Sequence, residues 1–295
     1  MVRADVTVAI ATLDRPGSLS ACLDAVLGGS VQPAEIVIVD QSADDRTERA
    51  VAQRAGLGAP IKYVRQQTRG LSASRNAAIG VAMQRIIAFT DDDCVPDQGW
   101  VGSIERGFEG TSAPDAITGQ VLPFGPESSD TFVVSPRERA TRAEFNGRRI
   151  PWLVGTGGNF AIRRQWFERV GTFDARLGAG SPGRAAEDAE LFDRLLKAGA
   201  RFRFDPDVIV YHRRQTLKRR LETRWGYGHG IGALCALRIR ERDLFASWVL
   251  CYWLITLGRE LAGSVARRDG LAAYQRLLGL GGTLQGVLYG VRARS

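Results

Sequence analysis

Three adjacent carboxylates, Asp91, Asp92 and Asp93, lie one residue beyond the apolar run of residues 86–89. Carboxylates at the end of a buried strand repel one another and lose solvation, so a fold that gathers them usually holds a cation there. Asp91 and Asp93 project to the same side of an extended backbone, and such oxygen ligands suit Mg²⁺ or Mn²⁺ shared with substrate phosphates. For an isolated Asp-Asp-Asp, the alternative is a solvated acidic turn or a helix cap before Pro96.

Two more segments offer polar groups of similar use. Asp40 closes the apolar run of residues 36–39 and could hydrogen-bond a base or ribose, whereas in isolation a helix cap is the commoner role. Residues 68–79 combine small side chains, which let a backbone pass close to a ligand, with Arg75 and Asn76, which could reach phosphate or sugar oxygens. Taken alone, that segment is equally typical of a loop and helix start.

The elements that must position these groups alternate along the first half of the chain. Apolar, β-branched runs predict strands at residues 6–11, 36–39, 61–64 and 86–89. Helices are predicted at residues 18–27 and 45–55. This alternation is typical of an α/β fold with a mostly parallel sheet and flanking helices. Ligands of such sheets bind at the carboxyl ends of the strands, which is where Thr12, Asp40 and Asp91 fall.

The composition of the 295 residues is that of a folded protein with room for one large domain or two ordinary ones. A hydrophobic fraction of 44% and a charged fraction of 24% exclude a mainly disordered chain and a polytopic membrane protein. The first residues, Met-Val-Arg-Ala-Asp, lack the pattern of a secretory signal, so we expect a cytoplasmic protein. The four cysteines are widely spaced without a CxxC pair, which predicts buried thiols and neither a disulfide framework nor a zinc site.

Taken in order, four segments resemble the successive signatures of the family 2 glycosyltransferases, which have the nucleotide-sugar-binding GT-A fold. They read Val-Thr-Val-Ala-Ile-Ala-Thr-Leu-Asp-Arg-Pro16, Glu-Ile-Val-Ile-Val-Asp40, Arg-Gly-Leu-Ser-Ala-Ser-Arg-Asn-Ala-Ala78 and Phe-Thr-Asp-Asp-Asp-Cys-Val-Pro96. Further on, Gly-Thr-Gly-Gly-Asn-Phe-Ala-Ile-Arg-Arg164 resembles the lining of the family's sugar pocket, and Glu187-Asp188 resembles its ED motif. The resemblance implies an inverting, metal-dependent enzyme that moves a sugar from a nucleotide-diphosphate sugar to a hydroxyl of a glycan or lipid-linked acceptor.

The resemblance also implies roles for individual residues. The implied contacts with the nucleotide sugar are Thr12, Arg15, Asp40, Arg75, Asn76, Asp92, Gly157 and Asn159. Asp91 and Asp93 correspond to the DxD motif that holds Mg²⁺ or Mn²⁺ across the diphosphate, and His212 occupies a place where the family often has a further ligand. Glu187 and Asp188 correspond to the pair of which one is the general base, and the family pattern favours Asp188. A lone histidine is often structural, and a helix N-terminus attracts a Glu-Asp pair by electrostatics alone, so both alternatives stay open.

One departure from the family concerns chain elongation. Processive members carry a QxxRW motif, and the corresponding residues here are Leu221-Glu-Thr-Arg-Trp225, with leucine in place of glutamine. The difference favours a single-addition enzyme in cell-surface glycan or glycolipid assembly over a polysaccharide synthase. Arg224 is as typical of a solvated basic helix as of a phosphate contact.

Other functions stand as alternatives. A dinucleotide-dependent oxidoreductase requires GxGxxG after the first strand, where this chain has Ala-Thr-Leu-Asp-Arg-Pro. A sugar-phosphate nucleotidyltransferase would carry a glycine- and Arg/Lys-rich loop at the same place. A nucleic-acid-binding protein would use the arginine-rich C-terminus, with affinity that falls steeply with salt, but we expect no nucleic-acid partner.

The basic character of the chain, with a formal charge of +8, lies in its C-terminal third. Residues 213–295 carry 15 Lys/Arg and 5 Asp/Glu, whereas residues 1–212 carry 25 and 27. The uncharged, aromatic-rich run of residues 244–257 is too short for a bilayer core of ~30 Å at 1.5 Å per residue. We expect a catalytic domain over residues 1–215 and a helical extension over residues 216–295. The uncharged run and its flanking arginines predict that this extension docks the enzyme on the anionic inner face of the membrane without spanning it. The alternatives are helices that cover the catalytic domain or form a homodimer.

Overall fold

A mixed sheet with helices on both faces positions the predicted site, and three long helices follow it. The computed structural model describes residues 3–128, 131–134 and 136–293, so the predicted leaderless start at Met1 and Val2 lies outside the described residues. The strands are β1 Arg3–Thr12, β2 Gln32–Asp40, β3 Ile61–Arg65, β4 Ile86–Asp91, β5 Cys94–Pro96, β6 Ala116–Phe124, β7 Thr131–Phe132, β8 Ala143–Phe145, β9 Asn159–Arg163, β10 Phe202–Arg213 and β11 Gln215–Thr216. The helices are α1 Pro16–Leu27, α2 Arg46–Ala52, α3 Leu71–Val81, α4 Trp100–Gly107, α5 Gln165–Val170, α6 Glu187–Lys197, α7 Leu217–Arg240, α8 Phe245–Ala266 and α9 Gly270–Arg292.

The sheet has the strand order β3-β2-β1-β4-β9-β6-β10-β5, with β8 beside β10. Strands β1 to β4 pair in parallel, as the alternation of strands and helices predicts. Beyond β4 the sheet is mixed: β6 and β10 pair in parallel, whereas β9 runs antiparallel to β4 and β6, and β5 and β8 run antiparallel to β10. Parallel neighbours need a crossover helix, and the described chain between β6 and β9 contains no α-helix that could supply one.

The strand register brings the predicted polar residues to one edge of the sheet. Thr12 of β1 lies opposite Asp40 of β2, and Ala11 lies opposite Asp91 of β4. We call this edge of the sheet the polar edge. His212 also belongs to it, because the pairing of β5 with β10 sets His212 opposite Cys94. The carboxyl ends of the parallel strands thus meet as expected.

Alternate residues of the central strands supply two apolar cores, one on each face of the sheet. Val8 of β1 packs with α1, α2 and α4 on one face, whereas Ala9 packs with α3, α5 and α6 on the other. On the second face, Phe89, Phe160 and Phe173 form a ring cluster, and the rings of Phe89 and Phe160 stack with centroids 4.7 Å apart. These cores leave little freedom to the strand ends that carry the polar edge.

Helices α7 and α9 run parallel with their backbones in direct contact. The glycines at this contact are Gly228, Gly232, Gly282, Gly286 and Gly290. A Cβ on Gly286 would lie 1.9 Å from the backbone oxygen of His229, so glycine is required there. The four-residue spacing on each helix is the small-residue pattern that lets helix backbones approach closely, best known from membrane proteins.

Helix α8 packs outside that pair and is longer than its uncharged run. Trp253 Nε1 donates to Thr283 Oγ1 at 2.9 Å, and the Trp253 ring meets Trp152 edge-on with centroids 5.6 Å apart. The helix has 22 residues, and with a mean hydropathy of 1.2 it is long and apolar enough to cross a membrane, with 17% of the apolar window buried. The prediction that this segment is too short to span is therefore wrong in its premise, because the helix continues beyond residue 257 to Ala266.

The C-terminal helices share a core and two sets of ion pairs with the rest of the chain. Ile231 of α7 and Val249 of α8 belong to the same apolar cluster as Ala189 of α6. Arg148 donates to Asp193 of α6 at 2.6 and 2.8 Å and to Asp243 before α8 at 2.6 and 2.7 Å. Glu190 of α6 is fully buried. It pairs with Arg194 of the same helix and with Arg238 of α7. An ion pair therefore joins α6 directly to α7, and Arg148 joins α6 to the segment before α8.

Candidate active site

Four side chains with metal-binding atoms converge at the polar edge: Asp91, Asp93, Cys94 and His212, whose ligand atoms all lie within 4.8 Å of one another. The turn between β4 and β5 gathers the first three, and β10 adds the histidine. His212 Nε2 lies 3.4 Å from Asp93 Oδ1. The structure thus brings together the three residues that the resemblance implies as metal ligands.

This donor set fits a hard divalent cation. Carboxylate oxygens with an imidazole nitrogen suit Mn²⁺ and are compatible with Mg²⁺. Cys94 was not among the predicted ligands, although its position directly after the three aspartates was a signal. It is fully buried, and burial raises the pKa of its thiol well above the ordinary value, so the protonated thiol is a poor ligand for such a cation. Gly158 leaves room at the same place, since a Cβ there would lie 3.2 Å from Asp91 Oδ2.

Arg75 connects the metal-binding carboxylates to the start of α6. Its side chain is 4% exposed, and it donates to Asp91 Oδ1 at 3.0 Å, to the Gly157 oxygen at 2.8 Å and to Glu187 Oε1 at 2.9 Å. Burial alone would lower the pKa of Arg75, but Asp91 and Glu187 raise it above the ordinary value, so the guanidinium stays charged. In this structure its hydrogen bonds lie inside the protein and hold the two carboxylates together, and the implied contact of Arg75 with the nucleotide stays a prediction.

The carboxylates of the Glu187-Asp188 pair have different surroundings. Glu187 is buried against Arg75, and burial together with neighbouring Asp188 raises the pKa of the Glu187 carboxyl group. Asp188 is more exposed; its Oδ1 accepts from the Ala189 N–H at 2.8 Å, and a Cβ on Gly157 would lie 3.0 Å from its Oδ2. Asp188 is therefore the accessible carboxylate of the pair, and the glycine keeps one side of it open.

A strained residue precedes this pair. Ala186, immediately before α6, has φ of +69°, a left-handed conformation that residues with a side chain rarely adopt. Such strain persists only where the surrounding structure enforces it, and it is concentrated at functional sites. The packing of Gly230 against Ala185 supplies the enforcement, since a Cβ on Gly230 would lie 2.6 Å from the Ala185 backbone.

Asp92 does not belong to the group of possible metal ligands that Asp91 and Asp93 form. It is 5% exposed and accepts from Thr12 Oγ1 at 2.7 Å and from Arg15 at 3.2 Å, and burial raises the pKa of its carboxyl group to about 6. Thr12 and Asp92, both implied nucleotide contacts, are thus bonded to each other inside the fold. Arg15 also donates to Asp93 Oδ2 at 3.1 Å and its side chain is 44% exposed, so it stands at the surface of the polar edge.

Asp40 is not accessible in this structure. It is fully buried, its Oδ2 accepts from the Tyr63 hydroxyl at 2.7 Å, and its Oδ1 accepts from the Ser42 N–H at 2.8 Å. The implied role of Asp40 in reading a base or ribose stays a prediction, and in this structure both of its oxygens accept hydrogen bonds from within the protein. Tyr63, on the next strand of the sheet, was not among the predicted residues.

The two implied asparagine contacts are also structural. Asn76 bonds the backbone of Phe173 through both amide atoms, at 2.8 and 2.9 Å. Asn159 is fully buried, accepts from Trp100 Nε1 at 2.9 Å and donates to the backbone oxygens of Gln120 and Val208. These amides join distant segments of the chain, and their implied contact with the nucleotide sugar stays a prediction.

One cation near the site carried no sequence signal. Arg137 lies in the irregular segment between β7 and β8 and donates to the backbone oxygen of Trp152. Burial lowers the pKa of Arg137, and nearby Asp188 opposes that shift. No motif marks the segment, and a fold outside regular strands and helices gives no periodicity from which its position could have been predicted.

Comparison with known proteins places this geometry in a family. The profile of the glycosyl transferase family 2 matches residues 7–171. A glucosyl-dolichyl phosphate glucuronosyltransferase of Haloferax volcanii is 23% identical over 230 residues, which cover 72% of this chain and 69% of that protein. Glycosyltransferase AglE of the same organism is 25% identical over 260 residues, which cover 84% and 81%.

Solved structures show the same fold. The mannosyltransferase PcManGT from Pyrobaculum calidifontis, in complex with GDP-Man and Mn²⁺, superposes with a TM-score of 0.63 at 17% identity, covering 100% of this chain and 89% of that one. TarS of S. aureus with UDP-GlcNAc gives a TM-score of 0.59 at 15% identity, covering 96% and 81%. The predicted GT-A fold is confirmed, and neither a nucleotidyltransferase nor a nucleic-acid-binding protein finds support in these comparisons. Together with the match to the family profile over more than half of the chain, they show that the chain belongs to glycosyl transferase family 2.

Proposed function

We propose that the enzyme transfers one sugar per reaction, with inversion at the anomeric carbon, to a hydroxyl of a lipid-linked acceptor in cell-surface glycan or glycolipid assembly. The observation that carries the proposal is the connection of Asp91 to Glu187 through Arg75, which sets accessible Asp188 beside the metal-binding carboxylates. Sugar transfer needs a base for the acceptor hydroxyl and stabilisation of the leaving diphosphate, held in line. Asp188 supplies the base, and Asp91 and Asp93 supply the carboxylates for the cation that stabilises the diphosphate.

Asp188 is the base in this proposal. Its Oδ1 is oriented by the Ala189 N–H, and the carboxylate can take the proton of the acceptor hydroxyl through Oδ2. Glu187 is bound to Arg75 and holds the start of α6 in place. The mechanism needs no covalent intermediate on the protein, and direct displacement by the hydroxyl inverts the anomeric carbon.

The cofactor in the proposal is Mn²⁺ or Mg²⁺, held by Asp91, Asp93 and His212. When bound, the cation stabilises the negative charge that develops on the leaving diphosphate. Arg15 at the surface of the polar edge is placed to contact the donor, and Gly157 lets the sugar lie against Asp188. Excess chelator should therefore stop the reaction, and added Mn²⁺ or Mg²⁺ should restore it.

The acceptor is lipid-linked in this proposal because two observations agree. The name of the Haloferax relative gives a glucosyl-dolichyl phosphate as the substrate of that protein. In this chain, α8 and α9 expose large apolar side chains, among them Leu244, Trp248, Ile255, Leu284 and Leu288. Arginines flank α8 at residues 242, 267 and 268, and such charges attract anionic lipid at roughly 1 kcal/mol each when near the surface. Arg259 and Glu260 lie within α8, which favours docking on the cytoplasmic face over a span.

The donor is tested with purified full-length enzyme and a panel of nucleotide sugars. Release of nucleoside diphosphate is measured with Mn²⁺, with Mg²⁺ and with excess chelator, in the presence of lipid-linked acceptors. We expect one donor to support metal-dependent release and a lipid product with the inverted linkage. Retention of configuration, or release of the same rate in chelator, would contradict the mechanism.

Membrane docking is tested by flotation with liposomes. Wild-type protein should float with anionic vesicles at low salt and dissociate at high salt, because flanking arginines and apolar side chains act together. The pair of changes Leu244→Glu and Trp248→Glu should abolish flotation. The matched control, Leu57→Glu with Met83→Glu, alters equally exposed apolar residues outside the C-terminal helices and should float normally. If the protein is a soluble dimer that does not bind anionic vesicles, the exposed apolar side chains of α8 and α9 would instead contact a second copy of the chain.

A further inference from the structure

Three arginines gather where α7 and α9 begin. Arg220 and Arg224 are one turn apart on α7 and face the same way, and the parallel packing of the two helices sets Arg276 of α9 beside them. Arg220 Nε donates to Gln275 Oε1 at 2.9 Å, and its Nη1 donates to the Val133 backbone oxygen at 3.1 Å. We call these three residues the arginine cluster.

The cluster holds more positive charge than its neighbours neutralise. Burial and Arg276 lower the pKa of Arg220, and burial, Arg220 and Arg276 lower that of Arg224. Glu260 of α8 lies 2.8 Å from Arg276 Nε, although the two groups are not aligned as a hydrogen bond. Within residues 3–128, 131–134 and 136–293, neither Arg220 nor Arg224 forms an ion pair with a carboxylate.

Two other arginines, one on α7 and one between β8 and β9, have carboxylate partners. Arg238 of α7 pairs with buried Glu190 of α6, and Arg148 pairs with two carboxylates. Partly buried cations without such partners are unfavourable unless an anion joins them. A guanidinium presents paired donors that match the oxygens of a phosphate group, so a phosphate is the anion that this cluster fits best.

The surroundings of the cluster show which phosphate it can take. Tyr274 and Leu277, on either side of Gln275 and Arg276, are 51% and 52% exposed, so an apolar chain attached to the phosphate would meet apolar side chains. Contacts also run from the cluster towards the metal ligands. Arg220 stacks on Phe132 of β7, with 5.0 Å to the ring centroid. Strand β7 pairs with β11, and β11 begins two residues after Arg213. The backbone N–H of Arg213 donates to the backbone oxygen of Asp93 at 3.2 Å.

We infer that Arg220, Arg224 and Arg276 bind the phosphate group of the lipid-linked acceptor. This inference rests on the proposed function and names the chemical class of the acceptor: a lipid phosphate that carries the hydroxyl to be glycosylated. The phosphate lies outside the metal-binding carboxylates, and its hydrocarbon chain extends over the exposed side chains of α9. The donor diphosphate binds at the polar edge and does not use the cluster.

The experiment measures binding of full-length protein to phosphatidylcholine vesicles that contain a minor fraction of polyprenyl monophosphate. The references are vesicles with the same fraction of polyprenol or of phosphatidylglycerol. Arg220→Gln with Arg276→Gln should weaken binding to the polyprenyl phosphate vesicles at least ~10-fold, because several charge-assisted hydrogen bonds are lost. The matched control, Arg46→Gln with Arg49→Gln, removes the same charge from exposed positions of α2, outside the C-terminal helices, and should bind these vesicles like the wild type.

Three outcomes would overturn the inference. The first is unchanged binding of the cluster variant to polyprenyl phosphate. The second is an equal loss on phosphatidylglycerol vesicles, which would assign the cluster to bulk lipid headgroups. The third is a similar loss of affinity for nucleoside diphosphate with Mn²⁺, measured by calorimetry, which would assign it to the donor.

Two further measurements keep the test independent of folding and of the proposed function. If the double variant does not fold, Arg224→Gln is used alone. The Arg224 side chain forms no hydrogen bond with the part of the chain that the structure describes, so its replacement should leave the fold intact. Metal-dependent binding of the nucleotide sugar, measured by calorimetry without acceptor, reports the donor site separately. Failure of the wild type to bind any nucleotide sugar would refute the proposed function, whereas unchanged binding of the cluster variant to polyprenyl phosphate vesicles would refute only the phosphate site.

Discussion

The polar edge and the α7–α9 contact are both tightly constrained, but by different interactions. At the polar edge, buried Arg75 and exposed Arg15 hold the carboxylates through directed, charge-assisted hydrogen bonds. At the α7–α9 contact, glycines remove the side chains and the backbones fit by shape. Charged groups can be repositioned by a ligand that competes for their hydrogen bonds, whereas a backbone contact without side chains has no alternative arrangement nearby. The first region therefore suits binding and chemistry, and the second suits a fixed support.

The two regions meet at the segment before α6. Gly230 packs on Ala185, His229 Nε2 lies 3.1 Å from the Pro182 oxygen, and Arg238 pairs with Glu190. The support therefore extends to the strained residue that precedes Asp188. If this comparison is right, changes at the polar edge should reduce catalysis without unfolding, and changes at the helix contact should reduce stability first.

The largest expected effect is on transfer by Asp93→Ala. Loss of a metal ligand should lower the rate by about 10³-fold, since a cation contributes several kcal/mol of charge stabilisation. The thermal transition should change little, because the carboxylate is partly exposed at a strand end. Asp45→Ala, which removes an exposed carboxylate from α2's start, is the control and should keep wild-type activity. Full activity of the Asp93 variant in chelator would remove the metal from the mechanism.

Asp188→Asn should have the next largest effect. The variant should bind the nucleotide sugar with near-normal affinity and transfer at least ~10²-fold more slowly, as expected when a general base is removed. Glu187→Gln keeps the shape but weakens the bond to Arg75, so it should lose less activity and some stability. Steady-state rates and calorimetric donor affinities separate the two. A dead Glu187 variant beside an active Asp188 variant would exchange their roles.

Gly286→Ala and Gly281→Ala compare a contacting and an open position on α9. A Cβ at Gly286 would lie 1.9 Å from the His229 oxygen, so the helices must separate, and we expect a loss of about 2–3 kcal/mol in the free energy of unfolding. Nothing lies within 4 Å of a Cβ at Gly281, and alanine should stabilise the helix there by roughly 0.5–1 kcal/mol. Chemical denaturation measures both. Equal effects at the two positions would contradict the shape-based contact.

The smallest expected effect concerns acid stability. Hydrogen bonds from Arg148, then from Lys197, hold the pKa of the Asp243 carboxyl well below its usual range. Because the folded-state pKa is the lower one, this stabilisation is complete above the unfolded pKa of about 3.9 and is lost as the pH falls below it. Wild-type protein should lose about 1 kcal/mol more than Asp243→Asn between roughly pH 5 and pH 2.5. Identical slopes of unfolding free energy against pH would contradict the assignment.

The first four long strands and the location of the site follow from the sequence. Apolar runs that end in polar residues predict both the strands and the edge at which Thr12, Asp40 and Asp91 meet, because consecutive parallel strands align their carboxyl ends. The closeness of Asp91 and Asp93, the predicted metal ligands, follows directly from the sequence, since only Asp92 separates them. The family motifs supplied His212 and the Glu187-Asp188 pair.

Only the tertiary structure decides which of those polar residues are free. Asp40 is covered by Tyr63, Arg75 is drawn inward by Asp91 and Glu187, and Asn159 is bonded to Trp100, and none of these pairings is visible in local sequence. The glycines of α7 and α9 meet across about fifty residues of chain, and their spacing alone does not name the partner helix. Periodicity reports the environment of an element, whereas hydrogen bonds and close contacts depend on distances that exist only after the chain has folded.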